Sequence, residues 1–346
     1  MTGVLLIATR LEAAGAAMTV AGLTVLERAV RQLARMGRSP VVVASDGSVP
    51  MSDGLDVRPA HTPEALDDLR RELDGFEEIA ADVVRPTNKD LTGGIRVIDA
   101  ATRRQAEDAI FAQLLRGDLG LVARYLNKPV SFRITRHALC RLPVTPNQVT
   151  LAAGLVGLIG CALVATGQLT LMVAGFFLSH VQSVLDGCDG ELARVRFQQS
   201  PLGAWLDQVV DDTLNVVMMA CIGVGLWRMT GSVGLAAAAG AGVVMCLTYN
   251  LTVYREIGRQ KVGAEVQNLR WWFGGGKELR SLSEGTGGSV DIFYNLGRRD
   301  VICFAFVLLA ALGWFKLILL WWLIVLSVDF VVAVGQLIFG APAARG

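Results

Sequence analysis

Long apolar runs dominate the second half of the chain, whereas the first third alternates short apolar runs with mixed stretches. Six apolar segments lie near 148–166, 169–187, 205–227, 233–254, 301–315 and 317–339. Most of them approach the roughly 20 residues that a helix needs to cross a bilayer, and the fifth is short. The pattern predicts an α-helical integral membrane bundle of six transmembrane helices over residues 144–340.

The first 118 residues follow a different pattern. Short β-branched runs at 4–8, 41–45, 79–84 and 95–98 alternate with amphipathic stretches at 23–36, 63–73 and 100–115. This alternation is typical of an α/β domain. The apolar run at the N-terminus is too short for a signal peptide and has no basic region before it, so we expect a cytosolic α/β domain over 1–118.

Residues 119–143 join the two regions and mix basic with apolar positions. Five bases, Arg124, Lys128, Arg133, Arg136 and Arg141, lie among leucine, valine, isoleucine and aromatic residues. A helix of this kind suits an anionic membrane surface. We therefore predict a juxtamembrane amphipathic helix.

Basic residues are concentrated in alternate connections between the apolar segments. Arg194 and Arg196 follow the second segment, and eight further Lys and Arg residues lie between the fourth and fifth. The opposite connections contain only Arg228 and Lys316. The positive-inside rule then predicts a protein of the cytoplasmic membrane, with both termini and the active site on the cytoplasmic side.

The connection at 256–300 is long and contains the cluster Arg270-Trp271-Trp272-Phe273. An aromatic and basic cluster suits the headgroup interface, so we expect it to anchor the loop to the membrane. A lid over the site is the alternative interpretation.

Composition supports a membrane protein. The chain of 346 residues is 53% hydrophobic and only 18% charged, which is too apolar for an ordinary soluble protein. Its six cysteines are scattered without a C-x-x-C pair, so neither a disulfide framework nor a zinc site is indicated. We expect the lipid bilayer as a partner and no nucleic acid.

Four acidic residues stand where the second apolar segment ends and the third begins. Asp186 and Asp189 are three residues apart, and Asp207 and Asp211 are four apart, so each pair shares a helix face. An acid at the bilayer centre costs roughly 2.5–3.5 kcal/mol, and mutual repulsion adds to this. A divalent metal is the simplest compensation, and ligands that are all oxygen favour Mg²⁺ or Mn²⁺, as one or two ions.

The neighbours of these acids suggest a phosphate-bearing substrate. Gly190 lets backbone approach a ligand, Arg194 can hold a phosphate oxygen, and Gly203 opens space on the facing helix. One carboxylate must also accept the proton of an attacking hydroxyl. A purely structural interpretation is that the acids lie at helix ends and are offset by Arg194 and Arg196.

The complete pattern D-x-x-D-G-x-x-A-R-x8-G-x3-D-x3-D is identified as the signature of the CDP-alcohol phosphotransferase family. This resemblance implies a six-helix membrane fold, usually homodimeric, in which two metal ions are bound by Asp186, Asp189, Asp207 and Asp211. It also implies that Asp211 is the general base and that the CDP site is formed by Gly190, Ala193, Arg194 and Gly203. The expected reaction transfers a substituted phosphate from a CDP-alcohol, either CDP-diacylglycerol or a CDP-polyol, to the hydroxyl of a second alcohol, and CMP leaves.

The resemblance extends to the N-terminal third. The segments 124–129 and 145–150 look like those of family members fused to a cytidylyltransferase-like domain, and 21–45 is similar to sugar nucleotidyltransferases. Active nucleotidyltransferases carry a glycine-rich loop that cradles the triphosphate, but residues 8–15 have bulky and acidic side chains there. We expect a degenerate domain with a docking or regulatory role rather than a second enzyme. Similarity to the inositol-phosphate cytidylyltransferase fusions favours an inositol or other polyol phosphate as acceptor.

Arg298 and Arg299 precede the fifth segment. They suit an anion pocket for the acceptor phosphate, although cytoplasmic anchoring explains them nearly as well. A different class of function is a non-catalytic membrane metal-binding scaffold or a divalent-ion pathway that keeps the acids. The retained Gly190 and Arg194 argue against it, because ion passage needs no nucleotide pocket.

Overall fold

The computed structural model of the chain describes residues 4–8, 17–36, 41–45, 56–59, 62–73, 77–84, 94–114, 122–262, 268–274 and 298–340. The chain divides into two compact units. The first comprises residues 1–118 together with 134–143 and 191–198, and the second comprises the remainder.

Among its described residues, the N-terminal part of the first unit contains short strands and three helices. The strands are β1 (Val4–Ala8), β2 (Thr19–Val20), β3 (Leu23–Thr24), β4 (Val41–Ser45), β5 (Asp56–Pro59), β6 (Glu77–Ala80), β7 (Val83–Val84) and β8 (Ile95–Arg96). The helices are α1 (Val25–Arg35), α2 (Pro63–Glu72) and α3 (Ala100–Leu114). Four strands form a parallel sheet in the order β5-β4-β1-β6, in which Val4 pairs with Val41.

The sheet is covered on both faces because successive side chains of a strand point to opposite sides. Val43 packs with Leu26 and Leu33 of α1, whereas its neighbour Val42 packs with Leu69 of α2. Helix α1 begins at a capping box, in which the Thr24 hydroxyl accepts from the Glu27 amide at 3.1 Å. Residues 9–15 occupy the position of the glycine-rich loop of active nucleotidyltransferases, and they lie outside the described residues.

The predicted juxtamembrane helix is divided into three segments. A π-helix at Ala123–Asn127 leads into α4 (Lys128–His137), and a 3₁₀ turn at Leu139–Arg141 follows. Sequence periodicity indicated one helix, but it does not reveal the wider first turn or the break at Ala138.

The second unit is a bundle of long apolar helices. They are α5 (Pro146–Ala165), α6 (Leu169–Val195), α7 (Pro201–Thr230), α8 (Val233–Gln260), α9 (Arg299–Ala311) and α10 (Phe315–Phe339). Proline follows the capping residue of both α5 and α7, where its missing amide costs nothing. A large apolar core, which includes Phe176, Met219, Leu226 and Ile318, joins these helices.

Five helices in the described part of the chain are long and apolar enough to cross a membrane, namely α5, α6, α7, α8 and α10. This result fits an integral membrane protein. The fifth predicted segment, 301–315, corresponds to α9, which has only 13 residues and ends before Gly313 at φ +73°. Helix α9 therefore does not meet the length expected of a sixth span.

The aromatic cluster at 270–273 is attached to the bundle. Trp271 is buried and stacks on Tyr249 of α8 with ring centroids 6.2 Å apart. The Trp272 amide donates to Gln336 of α10 at 2.9 Å, while the side chains of Trp272 and Phe273 are exposed. One ring thus belongs to the core, and the other two are exposed.

Candidate active site

Three carboxylates from two helices converge in the second unit. Asp186 lies near the end of α6, and Asp207 and Asp211 lie one turn apart near the start of α7. One carboxylate oxygen from each lies within 4.8 Å of the other two, and all three side chains are half-buried. The predicted helix spacing therefore brings the acids to one point, as expected for a site that handles positive charge.

Asp189 lies outside this group of three. Its position three residues after Asp186 turns it about 60° around the helix. It is buried and accepts hydrogen bonds from the Thr150 hydroxyl of α5 and from the Gly190 amide. The structure thus places the fourth predicted metal ligand beside the cluster, against the first helix of the bundle.

Arg299, the first residue of α9, faces the three carboxylates. Its guanidinium forms an ion pair with Asp211 and lies 3.7 Å from an Asp186 oxygen. Its other amino group donates to Gln182 Oε1 at 2.7 Å. A cation therefore already offsets part of the negative charge of the site.

Arg298 faces elsewhere. It pairs with Asp300 at 3.4 Å, and the other oxygen of that carboxylate accepts from the Ala123 amide at 2.8 Å. The two arginines predicted for an acceptor phosphate are therefore separated, and only Arg299 contacts the acidic cluster.

Two oxygens of the cluster are orphaned. The Oδ1 atoms of Asp207 and Asp211 are buried and have no hydrogen-bond partner. Buried polar atoms are nearly always satisfied, so these two call for a ligand. Carboxylate oxygens are what Mg²⁺ and Mn²⁺ prefer, and the residues therefore fit a hard divalent cation.

Asp212 has a supporting position. It follows Asp211 but accepts from Gln208 at 2.9 Å and from the Tyr254 hydroxyl of α8 at 2.6 Å. Asp212 therefore ties α7 to α8.

The residues predicted for the CDP site lie near the junction of α6 and α7. Gly203 is in the first turn of α7, where its amide donates to the capping Ser200 hydroxyl at 3.0 Å. A Cβ at Gly203 would lie 3.0 Å from Asn147 Oδ1, so a larger residue would require this side chain to shift. Gly190, Ala193 and the exposed Arg194 follow the acids along α6.

Sequence reasoning missed Thr150 and Gln182. Gln182 lies four residues before Asp186, on the same face of α6, and a polar residue at that spacing within an apolar segment was a usable signal. Thr150 lies on another helix and has no such spacing, so only the structure connects it with Asp189.

An apolar bundle with a carboxylate cluster able to hold a divalent cation defines the class of protein: an integral membrane protein with a metal-type acidic site. Comparison with known protein families gives a more specific classification than this general class. Residues 143–273 match the family model described as CDP-alcohol phosphatidyltransferase, so this part of the chain is similar to that family. The resemblance drawn from the acidic signature is confirmed.

Several relatives carry the name "Bifunctional IPC transferase and DIPP synthase". The protein from Aquifex aeolicus is 30% identical over 197 residues, which cover 57% of this chain and 39% of the relative. Those from Rubrobacter xylanophilus and Archaeoglobus fulgidus are 32% and 31% identical, over 40% and 41% of this chain and 31% and 28% of the relatives. The chain thus spans less than half the length of each of these relatives.

Proposed function

We propose that the protein transfers a substituted phosphate from a CDP-alcohol to the hydroxyl of a second alcohol and releases CMP. The observation that carries this proposal is the convergence of Asp186, Asp207 and Asp211 within the domain matched by the family. A chain that only crossed the membrane would have no use for three acids at one point, given their cost there.

In the proposed reaction, Asp211 accepts the proton of the acceptor hydroxyl. The hydroxyl oxygen forms a bond to the phosphorus that carries the donor alcohol, and the bond from that phosphorus to the CMP oxygen breaks, with its electron pair leaving on CMP. Mg²⁺ or Mn²⁺, as one or two ions held by Asp186, Asp189, Asp207 and Asp211, would neutralise the diphosphate and stabilise the leaving group.

The other predicted residues bind and orient the substrates. Arg194 would hold a phosphate oxygen of the nucleotide, with Gly190, Ala193 and Gly203 giving its backbone room. Arg299 is better placed than Arg298 for an acceptor phosphate, because it already lies beside the proposed base. Its interaction with Asp211 would be exchanged for one with the phosphate when metal occupies the acids.

The acceptor class follows from the relatives. Their names, which include IPC transferase and DIPP synthase, favour an inositol or other polyol phosphate as acceptor, with CDP-diacylglycerol or a CDP-polyol as donor. Such a reaction belongs to the synthesis of phospholipids or other phosphodiesters.

We further propose a homodimer in the cytoplasmic membrane, with α9 completing six membrane helices and with both termini and the site on the cytoplasmic side. The asymmetric distribution of bases between alternate connections supports this orientation.

The test is release of CMP by the full chain purified in detergent. Candidate CDP-alcohols are incubated with inositol phosphates and Mg²⁺, and Asp211→Asn should abolish turnover. Asp329→Asn is the matched control, because Asp329 is a half-buried acid of α10 outside the cluster. If no donor and acceptor pair gives turnover while Mn²⁺ still binds to the acids, the metal-binding scaffold is the correct alternative.

A further inference from the structure

The first unit contains residues 191–198, which lie within the acidic signature, between Asp189 and Asp207. Residues 191–198 comprise the last turn of α6 and the start of its connection to α7, and they pack with α1 of the α/β domain. Ala193 and Arg194, both predicted for the CDP site, lie within this segment. Its contacts therefore determine where Arg194 is held.

Phe197 occupies an unusual backbone conformation between two arginines. Its φ is +55°, which a bulky residue seldom adopts without support from its surroundings. The guanidinium carbons of Arg28 and Arg35, both on α1, lie 5.5 and 5.7 Å from the centre of its ring. These distances are those of cation–π contacts, so α1 holds the ring from two positions.

The backbone next to Phe197 is fixed as well. Arg31 of α1 donates to the Arg196 carbonyl at 2.9 Å. The buried Arg196 side chain donates to the Leu139 and Leu142 carbonyls at 3.0 and 2.8 Å. Three arginines one turn apart on α1 thus all act on residues 196 and 197.

The other end of the segment is also fixed. Glu191 is fully buried and accepts a hydrogen bond of 2.8 Å from the buried Thr135 hydroxyl. Arg194 therefore lies between two anchored points, Glu191 and residues 196–197, and its side chain is exposed.

The buried position of Arg28 carries a desolvation cost. Its side chain is 3% exposed and donates to the Val20 carbonyl at 3.0 Å, and burial lowers the pKa of its guanidinium to about 10. A buried cation is retained only where its interactions compensate for lost hydration. An apolar residue would fill the same space if packing alone were needed.

We propose that α1 of the N-terminal domain is a positioning element for nucleotide binding: its arginines hold residues 191–198 and thereby orient Arg194 toward a CDP phosphate. This gives the α/β domain a role that needs no catalysis of its own. The proposal rests on the proposed function, because it takes Arg194 as a nucleotide ligand.

The principal variant is Phe197→Gly, which removes the ring while allowing the positive φ without strain. Binding of CMP to the full chain in detergent with Mg²⁺ is measured by calorimetry, together with Mn²⁺ affinity and the thermal unfolding midpoint. We expect the CMP dissociation constant to rise by about 3- to 10-fold, the range of one to two cation–π contacts, while Mn²⁺ affinity is unchanged. Arg35→Gln should give part of the effect, and Arg71→Gln, an exposed arginine of α2, none.

A double-mutant cycle tests whether the effect passes through Arg194. The pair Arg194→Gln with Phe197→Gly should bind CMP no more weakly than Arg194→Gln alone. Additive losses, or a Phe197→Gly variant that changes only the unfolding midpoint, would overturn the positioning role and leave the proposed function intact. A parent protein that binds Mn²⁺ but no CMP would overturn the proposed function and this inference with it.

Discussion

Replacing Arg299 with glutamine should increase the affinity of the protein for a divalent metal ion. It should also lower the thermal stability of the metal-free protein. The guanidinium lies among acids that we propose as metal ligands, so a divalent ion must displace it from them. At 3.7 Å, two unit charges interact by about 4–5 kcal/mol at an effective dielectric constant of ~20.

That value must be reduced for this site. Arg299, Asp186 and Asp211 are 25%, 24% and 21% exposed, so solvent screens each pair. Partly exposed pairs retain about 1–2 kcal/mol, and two pairs that share one cation add to about 2–3 kcal/mol. The variant should therefore bind Mn²⁺ about 30- to 150-fold more tightly than the parent.

The assay is titration with Mn²⁺ in detergent, followed by electron paramagnetic resonance, with thermal unfolding in EDTA as a second measurement. The midpoint in EDTA should fall, because three carboxylates lose their cation. Arg298→Gln is the matched control, since it removes the same charge one residue away but pairs with Asp300. Equal Mn²⁺ affinity in the parent and Arg299→Gln, or an equal gain in the control, would refute the reasoning.

Two further measurements address packing and protonation. A methyl group at Gly175 would lie 2.6 Å from the Gly160 carbonyl oxygen, so Gly175→Ala should force α5 and α6 apart and cost about 1–3 kcal/mol. Its unfolding midpoint should fall below that of Gly240→Ala, where the added methyl meets nothing within 4 Å, and equal midpoints would contradict the close packing. Burial raises the pKa of Cys140 from 9.0 to about 11, so iodoacetamide should label it about 100-fold more slowly at pH 8 than an exposed cysteine. Peptide mass spectrometry measures this rate, and labelling at the rate of a model thiol would show that Cys140 is accessible and ionised.

The sequence predicts much of the fold where one physical signal dominates. The strands Val4–Ala8 and Val41–Ser45 have the predicted bounds, because β-branched runs are unambiguous there. Strand β5 was not predicted, since Asp56, Arg58 and Pro59 leave Val57 as its sole strongly β-forming residue. Pairing with β4 stabilises it, and pairing is not visible along the chain.

The candidate site was likewise predicted only in part from the sequence. Helical spacing predicted that the two carboxylate pairs would meet, and the structure brings Asp186, Asp207 and Asp211 together. The position of Asp189 against Thr150 depends on how α5 packs beside α6, which no local pattern encodes. The approach of Arg299 likewise depends on a helix that begins almost ninety residues after the motif.

The short helix α9 has a consequence for the surrounding lipid. Its 13 residues extend about 20 Å, roughly 10 Å less than a typical hydrocarbon layer. If α9 reaches the far surface through the turn at Gly313, Arg299 and the acids beside it lie below the level of the neighbouring headgroups. The bilayer around α9 must then be thinner than elsewhere for its headgroups to reach the level of these residues. Turnover should therefore depend on the acyl-chain length of the lipid. Short-chain bilayers should bring a lipid-borne phosphate closest to the carboxylates.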